Sequence, residues 1–469
     1  MSKIEVNQIS SQCGSTLTIG QSGDTIQLAC GATQTGFGRT GTVNWDTTAK
    51  TASFTAVSGN GYFVNTTSGA ITVTLPAGSA GDIVSLADYA ATWQTNSVTV
   101  TPNGIDKIGG TSADVTLTTE GQSVTFVYTD STQGWINVQD STSNVRGSNF
   151  VAATGGTITT CGDYKIHTFT GPGTFCVSCV GNPCGSNTVD YLVVAGGGGG
   201  GRGECVGGGG GGAGGLRFSA STFTAPPASS PRAGTAITVP ATGGYPVTVG
   251  GGGAGALDHT VRGVSGSNST FAMASGITST GGGGAGSKSS GVQSGANGGS
   301  GGGGAGNFPG STGGSGNTPP VTPSQGFDGG DGRCGPWYAG GGGGGAAAAG
   351  QPAPAAGANN GGDGGAGLQV NIDTNTFYWA GGGGGSSWTC NPSTGGAGGI
   401  GGGGGGGQPG TNGSAGSGGG SAINPGANAI NQVGGAGGTN SGGGGGGTNL
   451  PGVGGAGGSG IVIIRYKYQ

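Results

Sequence analysis

Six consecutive glycines stand at 196–201 and again at 207–212, and seven at 401–407. Further runs follow at 250–253, 281–284, 301–304, 340–345, 381–385 and 442–447. A stretch without Cβ atoms has no side-chain pattern, so only its backbone can build structure. Collagen needs Gly at every third position, and no strict period of three runs through this region. Silk-like sheets alternate Gly with Ala or Ser, which these runs do not. An extended helix of the polyproline-II type has three residues per turn and no internal hydrogen bonds. Its N–H and C=O groups point outward in three directions and must find partners. Helices packed at about the spacing of sheet strands, ~4.8 Å, bond to several neighbours at once, and a Cβ facing a neighbour would clash. Ordering each residue costs about 1–2 kcal/mol of backbone entropy, against roughly 0.5–1.5 kcal/mol returned per hydrogen bond. One such helix cannot persist alone. A lattice of them, clamped at its ends by ordinary strands, is the expected solution, and a run of six spans about 19 Å.

The chain has 469 residues, of which 126 are Gly and 20 Pro, with 7% charged and a net charge of −4. Pro and Gly at this level usually mean low complexity and disorder. Disordered segments are rich in charge, whereas this region is nearly uncharged and bracketed by strand sequences, so an ordered fold is expected. Fourteen Lys and Arg are spread thinly, without the basic face of a nucleic-acid binder. The longest aliphatic run, IVII at 461–464, is far too short to cross a membrane as a helix, and no membrane insertion is expected. The opening MSKIEVNQIS has no basic-then-apolar pattern, so export by a signal peptide is not expected. Nine Cys cannot all pair within one chain, which fits synthesis in a reducing cytosol.

Period-two alternation divides the chain. Residues 1–36 carry the short strands KIEVNQI, STLTIG and DTIQLA, too small to bury a core alone. Pairing with other copies of the segment makes them an attachment or shaft region. Residues 37–145 read as a β-sandwich, with strands from YFVNTT to GWINVQD at sandwich spacing. Its expected core is Phe63, Val64, Ile71, Val73, Leu75, Ile83, Val84, Val124, Phe126, Ile136 and Val138. Residues 146–195 form a small β-sheet, 196–460 the polyglycine slab with its loops, and 461–469 a closing strand. DYLVVAG at 190–196 and GIVIIRY at 460–466 are apolar enough to lie in one sheet with YKIHTFT and GTFCVSC. The fold class is all-β and fibrous.

Chemical motifs are sparse. GxGxxG matches are trivial at this Gly content. GAGSKSS at 284–290 has Ser287 where a phosphate-binding loop requires Gly before Lys288. GGDGGAGL at 361–368 resembles a calcium-binding nonapeptide, but Ala366 replaces a ligand Asp and the block is not in tandem. Cys161, Cys176, Cys179 and Cys184 have the ligand types of a zinc site. Their strand setting favours core thiols or a local disulfide. No Ser-His-Asp set exists around His167 or His259. Asp328, Asp331 and Asp363 are the carboxylates from which a glycosidase pair could be drawn, yet Gly-rich surroundings offer no rigid acid pocket. No enzyme activity, cofactor or metal is expected.

VDYLVVAGGGGGG at 189–201, the GGGGAG blocks, GFDGGDG at 326–332, YAGGGGGG at 338–345 and GGSGIVIIRY at 457–466 resemble the glycine-rich domain of phage tail fibres, notably of marine phages. IEVNQI and GSTLTIGQSGDTIQLACG, within 4–31, are similar to the start of such fibres. The sequence also resembles adhesins of large tailed phages, whose polyglycine-II helices pack into a sandwich with receptor-binding loops at the far tip. The resemblance implies a homotrimeric fibre on the virion, made in the host cytoplasm and held to tail or baseplate proteins through its N-terminus. Its ligand would be a bacterial surface glycan or an outer-membrane protein. The alternatives are a tailspike-like polysaccharide depolymerase and a purely structural glycine-rich fibre. Alternating run directions assign 202–206, 256–280, 307–327, 346–360, 386–394 and 421–433 to the tip. Within these, His259, Arg262, Phe308, Asn359, Trp388, Asn391 and Asn424 offer stacking faces and hydrogen-bonding groups, with Trp337 and Tyr338 in reserve.

Overall fold

A computed structural model describes residues 43–141, 148–306, 309, 311–335, 338–354, 360–388, 393–408 and 414–469. The expected strands of 1–36, and Phe308, Trp337, Asn359 and Asn391, lie outside the described residues. The chain divides into two units, 1–146 and 147–469, and no α-helix occurs among the described residues.

The first unit holds β1 (Asn44–Lys50), β2 (Phe54–Thr55), β3 (Asn60–Val64), β4 (Ile71–Thr74), β5 (Ile83–Asp88), β6 (Val98–Thr101), β7 (Val115–Leu117), β8 (Ser123–Asp130) and β9 (Gly134–Ser141). Up to β6 successive strands fall in alternate sheets. Hence β1, β3 and β5 stack in parallel in one sheet, and β2, β4 and β6 in parallel in the other. This is a coiled winding rather than a series of hairpins. Antiparallel β7, β8 and β9 then close the two sheets. Inward residues of both sheets meet in one core of Val64, Ile71, Val73, Leu75, Leu86, Val100, Phe126 and their neighbours. Of the expected core, Phe63, Ile83 and Ile136 are only half-buried and Val138 is exposed. The pleat sends neighbours to opposite faces, so Tyr62 and Val64 point inward and Phe63 does not. On β9 the register shift opposite Thr125 and Phe126 ends the inward alternation.

The second unit contains β10 (Val151–Thr154), β11 (Thr157–Cys161), β12 (Tyr164–Phe169), β13 (Gly173–Val180), β14 (Thr188–Val194), β15 (Leu216–Phe218), β16 (Ile237–Thr238), β17 (Gly243–Thr248), β18 (Ser269–Phe271), β19 (Ile277–Ser279), β20 (Leu368–Gln369), β21 (Tyr378–Trp379) and β22 (Ile461–Lys467). One sheet runs β11-β12-β22-β14-β15, with β16 attached to β14. The strand that enters the glycine region, β14, therefore pairs directly with the strand that leaves it, β22. A second sheet, β10-β13-β17-β18-β19, packs against it through Phe175, Val177, Val247, Phe271, Val193, Val462 and Tyr466. The expectation that 173–179 shares a sheet with β12 and β22 fails for a physical reason. On β13 Phe175 and Val177 are buried while Thr174, Cys176 and Ser178 face out, so this strand can serve only a one-sided sheet. In contrast β22 reads IVIIRYK with six buried residues in a row, as a strand covered on both faces must. Its other face meets Leu216, Phe218, Leu368, Val370, Ile372 and Trp379.

The glycine slab follows the polyglycine-II scheme. N–H groups of Gly196 and Gly199 donate to Ser267 and Val264, those of Gly197 and Gly200 to Gly458 and Gly455, and those of Gly198 and Gly201 to Gly212 and Gly209. The partner changes in rotation every three residues, and its number falls by three, so these three neighbours run antiparallel. Carbonyls of the same helix accept from Gly282 and Ala285, from Gly253 and Ala256, and from Gly445 and Thr448. Those numbers rise by three, so three further neighbours run parallel. Each interior helix is thus bonded on all sides. A Cβ on Gly197, Gly200, Gly211 or Gly343 would lie about 2 Å from a neighbour's carbonyl oxygen, a separation no packing allows.

Outer helices obey a different rule. There every third residue is an Asp, Asn or Ser, X, which reaches sideways to a backbone N–H that has no lattice partner. Asp328 Oδ1 and Asp331 Oδ1 accept from Gly316 and Gly313 at 2.7 and 2.8 Å. Asn360 and Asp363 accept from Thr394 and Ala397 at 3.0 and 2.7 Å. Ser294 and Asn297 accept from Thr312 and Ser315, and Ser265 and Asn268 from Gly284 and Gly281. Every pair steps by three, so the slab faces carry a side-chain ladder at the helical period.

Candidate functional site

The helices end either beside the sheets or at the opposite end of the slab. On the sheet side, loops 269–279, 346–347 and 368–380 are built into the apolar cores, whereas 317–325, 421–425 and 439–441 give them no residue. Phe271 and Ile277 join one core, and Ala346, Val370, Phe377 and Trp379 join another. Among the described residues, loops 202–206, 257–262, 288–292, 333–335 with 338, and 449–452 supply no residue to any apolar core. They are tied to one another by backbone bonds instead. Lys288 N donates to Arg202 O, Ser289 N to His259 O, Gly203 N to Thr448 O and Gly207 N to Tyr338 O. These far loops are free of any structural duty beyond closing the lattice.

Scarce charges gather there. Lys288 Nζ meets Glu204 Oε2 at 2.9 Å, and His259 Nε2 lies 3.3 Å from the same oxygen. The other ring nitrogen of His259 is 3.4 Å from Asp258 Oδ1. Beside this pair of carboxylates, Arg202 Nη1 donates to Leu257 O, and Arg262 Nη2 donates to Gly291 O at 3.1 Å. The Lys288 hydrogen bond holds the Glu204 carboxyl below its usual range. Hydrogen bonds from Thr260, backbone first, do the same for Asp258. Leu257 and Val261 stand exposed among these charges. Arg333 also lies at this end and donates to Pro354 O at 2.7 Å. A polar cavity of about 470 Å³ opens nearby on the face, between Gln351, Pro354, Asn360, Asp363 and Thr394. Together the elements form an amphipathic, hydrogen-bonding surface on a rigid support.

The structure sorts the expected site residues. His259 and Arg262 are at the far end, in the charged cluster. Trp388 is half-buried there, next to Ser387, whose carbonyl accepts from Asn449 at 2.7 Å. Tyr338 is exposed at the same end. Asn424 is not: it donates to Thr439 O at 2.8 Å on the sheet side, where Tyr378 N also reaches Ser421 O. Within the loops assigned to the tip, 269–279, 317–325 and 346–348 likewise fall on the sheet side. The reason is that segments with Gly at every third position, such as 263–268, 311–316 and 326–332, are lattice helices too, and counting only pure glycine runs lost the alternation. Arg202, Glu204, Asp258 and Lys288 were missed as a group. Their signal was charge directly abutting a glycine run in a chain nearly devoid of charge.

The remaining motifs resolve into structural roles or into none. Cys176 points outward from β13, and Cys161, Cys179 and Cys184 are likewise free thiols, none belonging to an apolar core. Among the described residues no three His, Cys, Asp or Glu side chains are placed so that they could hold a metal ion together. Asp363, the acid of the calcium-like block, serves the face ladder. Lys288 of the phosphate-loop-like segment serves Glu204.

Fold and far end together define a glycine-rich, backbone-bonded slab, pinned by one sheet sandwich, with loops at the end opposite the sheets. The chain belongs to the glycine-rich domain family, whose pattern matches residues 168–467. No curated protein matches it.

Proposed function

We propose that the chain is the receptor-binding fibre of a tailed phage, made in the host cytoplasm and carried on the virion. In this reading the N-terminal segment attaches it, as a homotrimer, to other tail or baseplate proteins. The far loops of the slab contact a glycan or an outer-membrane protein of the bacterial surface. The observation that supports this reading most is the division between the slab's ends. Three sheet-side loops give residues such as Phe271, Ala346 and Val370 to the cores, while the far loops give none and combine His259, Arg262, Lys288 and Glu204 with exposed Leu257, Tyr338 and half-buried Trp388. Such mixtures of aromatic, apolar and charged groups on a rigid frame suit surface recognition. Binding without catalysis fits the acids, since Asp328, Asp331 and Asp363 each spend an oxygen on a neighbouring backbone N–H.

The test uses the labelled full chain and a panel of intact bacterial strains read by flow cytometry. A strain that binds the parent should lose most binding to the Arg262→Ala/Trp388→Ala variant, with melting behaviour unchanged. Binding to no strain, or undiminished binding by the variant, refutes the reading. Release of reducing sugar from a bound strain's polysaccharide would favour the depolymerase instead.

A further inference from the structure

On the sheet side of the slab, the outer edge of β15 borders a cavity of about 370 Å³, within the usual size range of small-molecule sites, about 300–1,000 Å³. Arg217 projects from β15, and Arg232 comes from the 3₁₀ turn Ser230–Arg232. Tyr191, Thr235, Ile277 and Pro323 complete the lining that matters. Arg232 donates through Nη1 to Ala346 O and through Nη2 to Ser324 O at 2.8 Å, with its guanidinium 5.1 Å from the Phe327 ring centre. Arg217 makes only a long bond, 3.4 Å, to Thr278 O.

Neither guanidinium has an anionic partner among the described residues. No Asp or Glu lines the cavity. The neighbouring acid, Asp190, is fully committed: it accepts from Ser219 Oγ at 2.6 Å, from the backbone and hydroxyl of Ser221, and from the backbone and hydroxyl of Thr222 at 2.6 and 2.7 Å. An arginine cannot discharge itself at working pH, and charges removed from water are ordinarily paired. Burial lowers the proton affinity of Arg232, with no nearby acid to offset it. Carbonyl bonds occupy two of its five donors, and the rest of its charge is unanswered. A fold that only needed to seal this edge could do so with the apolar residues it uses everywhere else around β14 and β15.

We propose that this cavity binds a sugar-sized anion, a monosaccharide carrying a carboxylate, sulfate or phosphate. Arg217 and Arg232 hold the anionic oxygens, Thr235 and the Tyr191 hydroxyl take ring hydroxyls, and Ile277 and Pro323 cover the ring's C–H face. The site is separate from the far loops and does not rest on the receptor reading.

Calorimetric titration of the full chain tests it with glucuronate, glucose 6-sulfate and glucose 6-phosphate, against glucose, inorganic sulfate and inorganic phosphate. At least one sugar anion should bind, with affinity falling as salt rises, while glucose does not. Arg217→Gln should weaken binding about tenfold or more, the usual cost of losing a charged hydrogen bond. Arg232→Gln risks the fold, so Thr235→Trp, an exposed position on the rim, serves as the second variant and should block entry. The three anions separate uronic-acid, sulfated and phosphorylated sources. No binding by any of them, equal binding of glucose, or indifference to both variants overturns the proposal. Inorganic anions binding as tightly as the sugars would also overturn it, leaving an adventitious ion only.

Discussion

Replacing Gly404 by alanine puts one carbon where the lattice has no room. The new Cβ would lie 2.0 Å from Gly435 O, 2.6 Å from Gly435 C and 3.0 Å from Ala436 C. Relief requires the helices at 403–408 and 434–438 to part by roughly 1 Å. They are joined by Gly435 N to Gly405 O at 2.8 Å and by Gly438 N to Gly402 O at 2.7 Å. Stretching either by that much ends it as a hydrogen bond, since N–H···O bonds span about 2.7–3.2 Å. Both donors and both acceptors are buried, so water cannot replace them. At about 1–3 kcal/mol for each of the two bonds lost between buried groups, the loss is roughly 2–6 kcal/mol. That is a large part of the ~5–15 kcal/mol by which domains are stable. Gly251 supplies the control: a Cβ there meets nothing within 4 Å, and Ala at a compatible Gly shifts stability by only about 0.4–1 kcal/mol in its favour. Guanidinium unfolding followed by limited proteolysis should show Gly404→Ala lowered well below the parent and Gly251→Ala level with it or above. Equal midpoints for the two variants would refute close packing as the reason for glycine.

Deleting 461–469 removes the strand between β12 and β14 and should open the whole slab to protease, not the C-terminus alone; a truncated chain as resistant as the parent contradicts the clamp. Asp331→Ala should cost about 1 kcal/mol in chemical denaturation by stranding the Gly313 N–H, whereas Asp331→Asn keeps the acceptor and should be near neutral. His167 is buried, its Nδ1 donating to Gly155 O at 2.7 Å and its Nε2 lying 3.1 Å from the Tyr466 hydroxyl. Burial lowers its pKa below the 6.5 of the unfolded chain, so its contribution is complete above pH 6.5 and is lost as pH falls from there through the lowered folded value. Melting temperature should therefore drop on acidification through that window, less steeply in His167→Gln, and parallel curves would show that another group is responsible.

The lattice was legible in the sequence because unbroken glycine leaves few choices, and β22 because the four-residue aliphatic run at 461–464 marks a strand apolar enough to be buried. What escaped was information held between segments. Alternation in 37–145 identifies strands but not partners, and strand-by-strand switching between sheets gives parallel neighbours that order along the chain does not reveal. Asp328, Asp331 and Asp363 read as isolated acids, since the Gly316, Gly313 and Ala397 N–H groups they serve lie 12, 18 and 34 residues away. The charged far end was half legible. His259 and Arg262 stood out as polar residues of one loop, but Glu204 and Lys288 are 84 residues apart and join only when three helix ends are brought together.

This construction separates what must stay from what is free to change. Interior energy comes from backbone to backbone, so it specifies glycine and nothing else. On the faces one position in three must keep a short acceptor, Asn, Asp or Ser, and loses little by exchanging one for another. The sheet-side loops carry core residues such as Phe271, Ile277, Val370 and Trp379 and are as constrained as any sandwich. Far loops answer only to closure: each must join two helix ends one lattice spacing apart, about 5 Å, and any length or composition that spans this gap leaves the slab's bonds intact. Loop closure adds only about 0.6 kcal/mol for each doubling of length, well below the cost of one misplaced Cβ in the interior. Substitution is therefore energetically cheapest on Arg202–Cys205, Leu257–Arg262 and Lys288–Val292, the same segments that hold the charged surface.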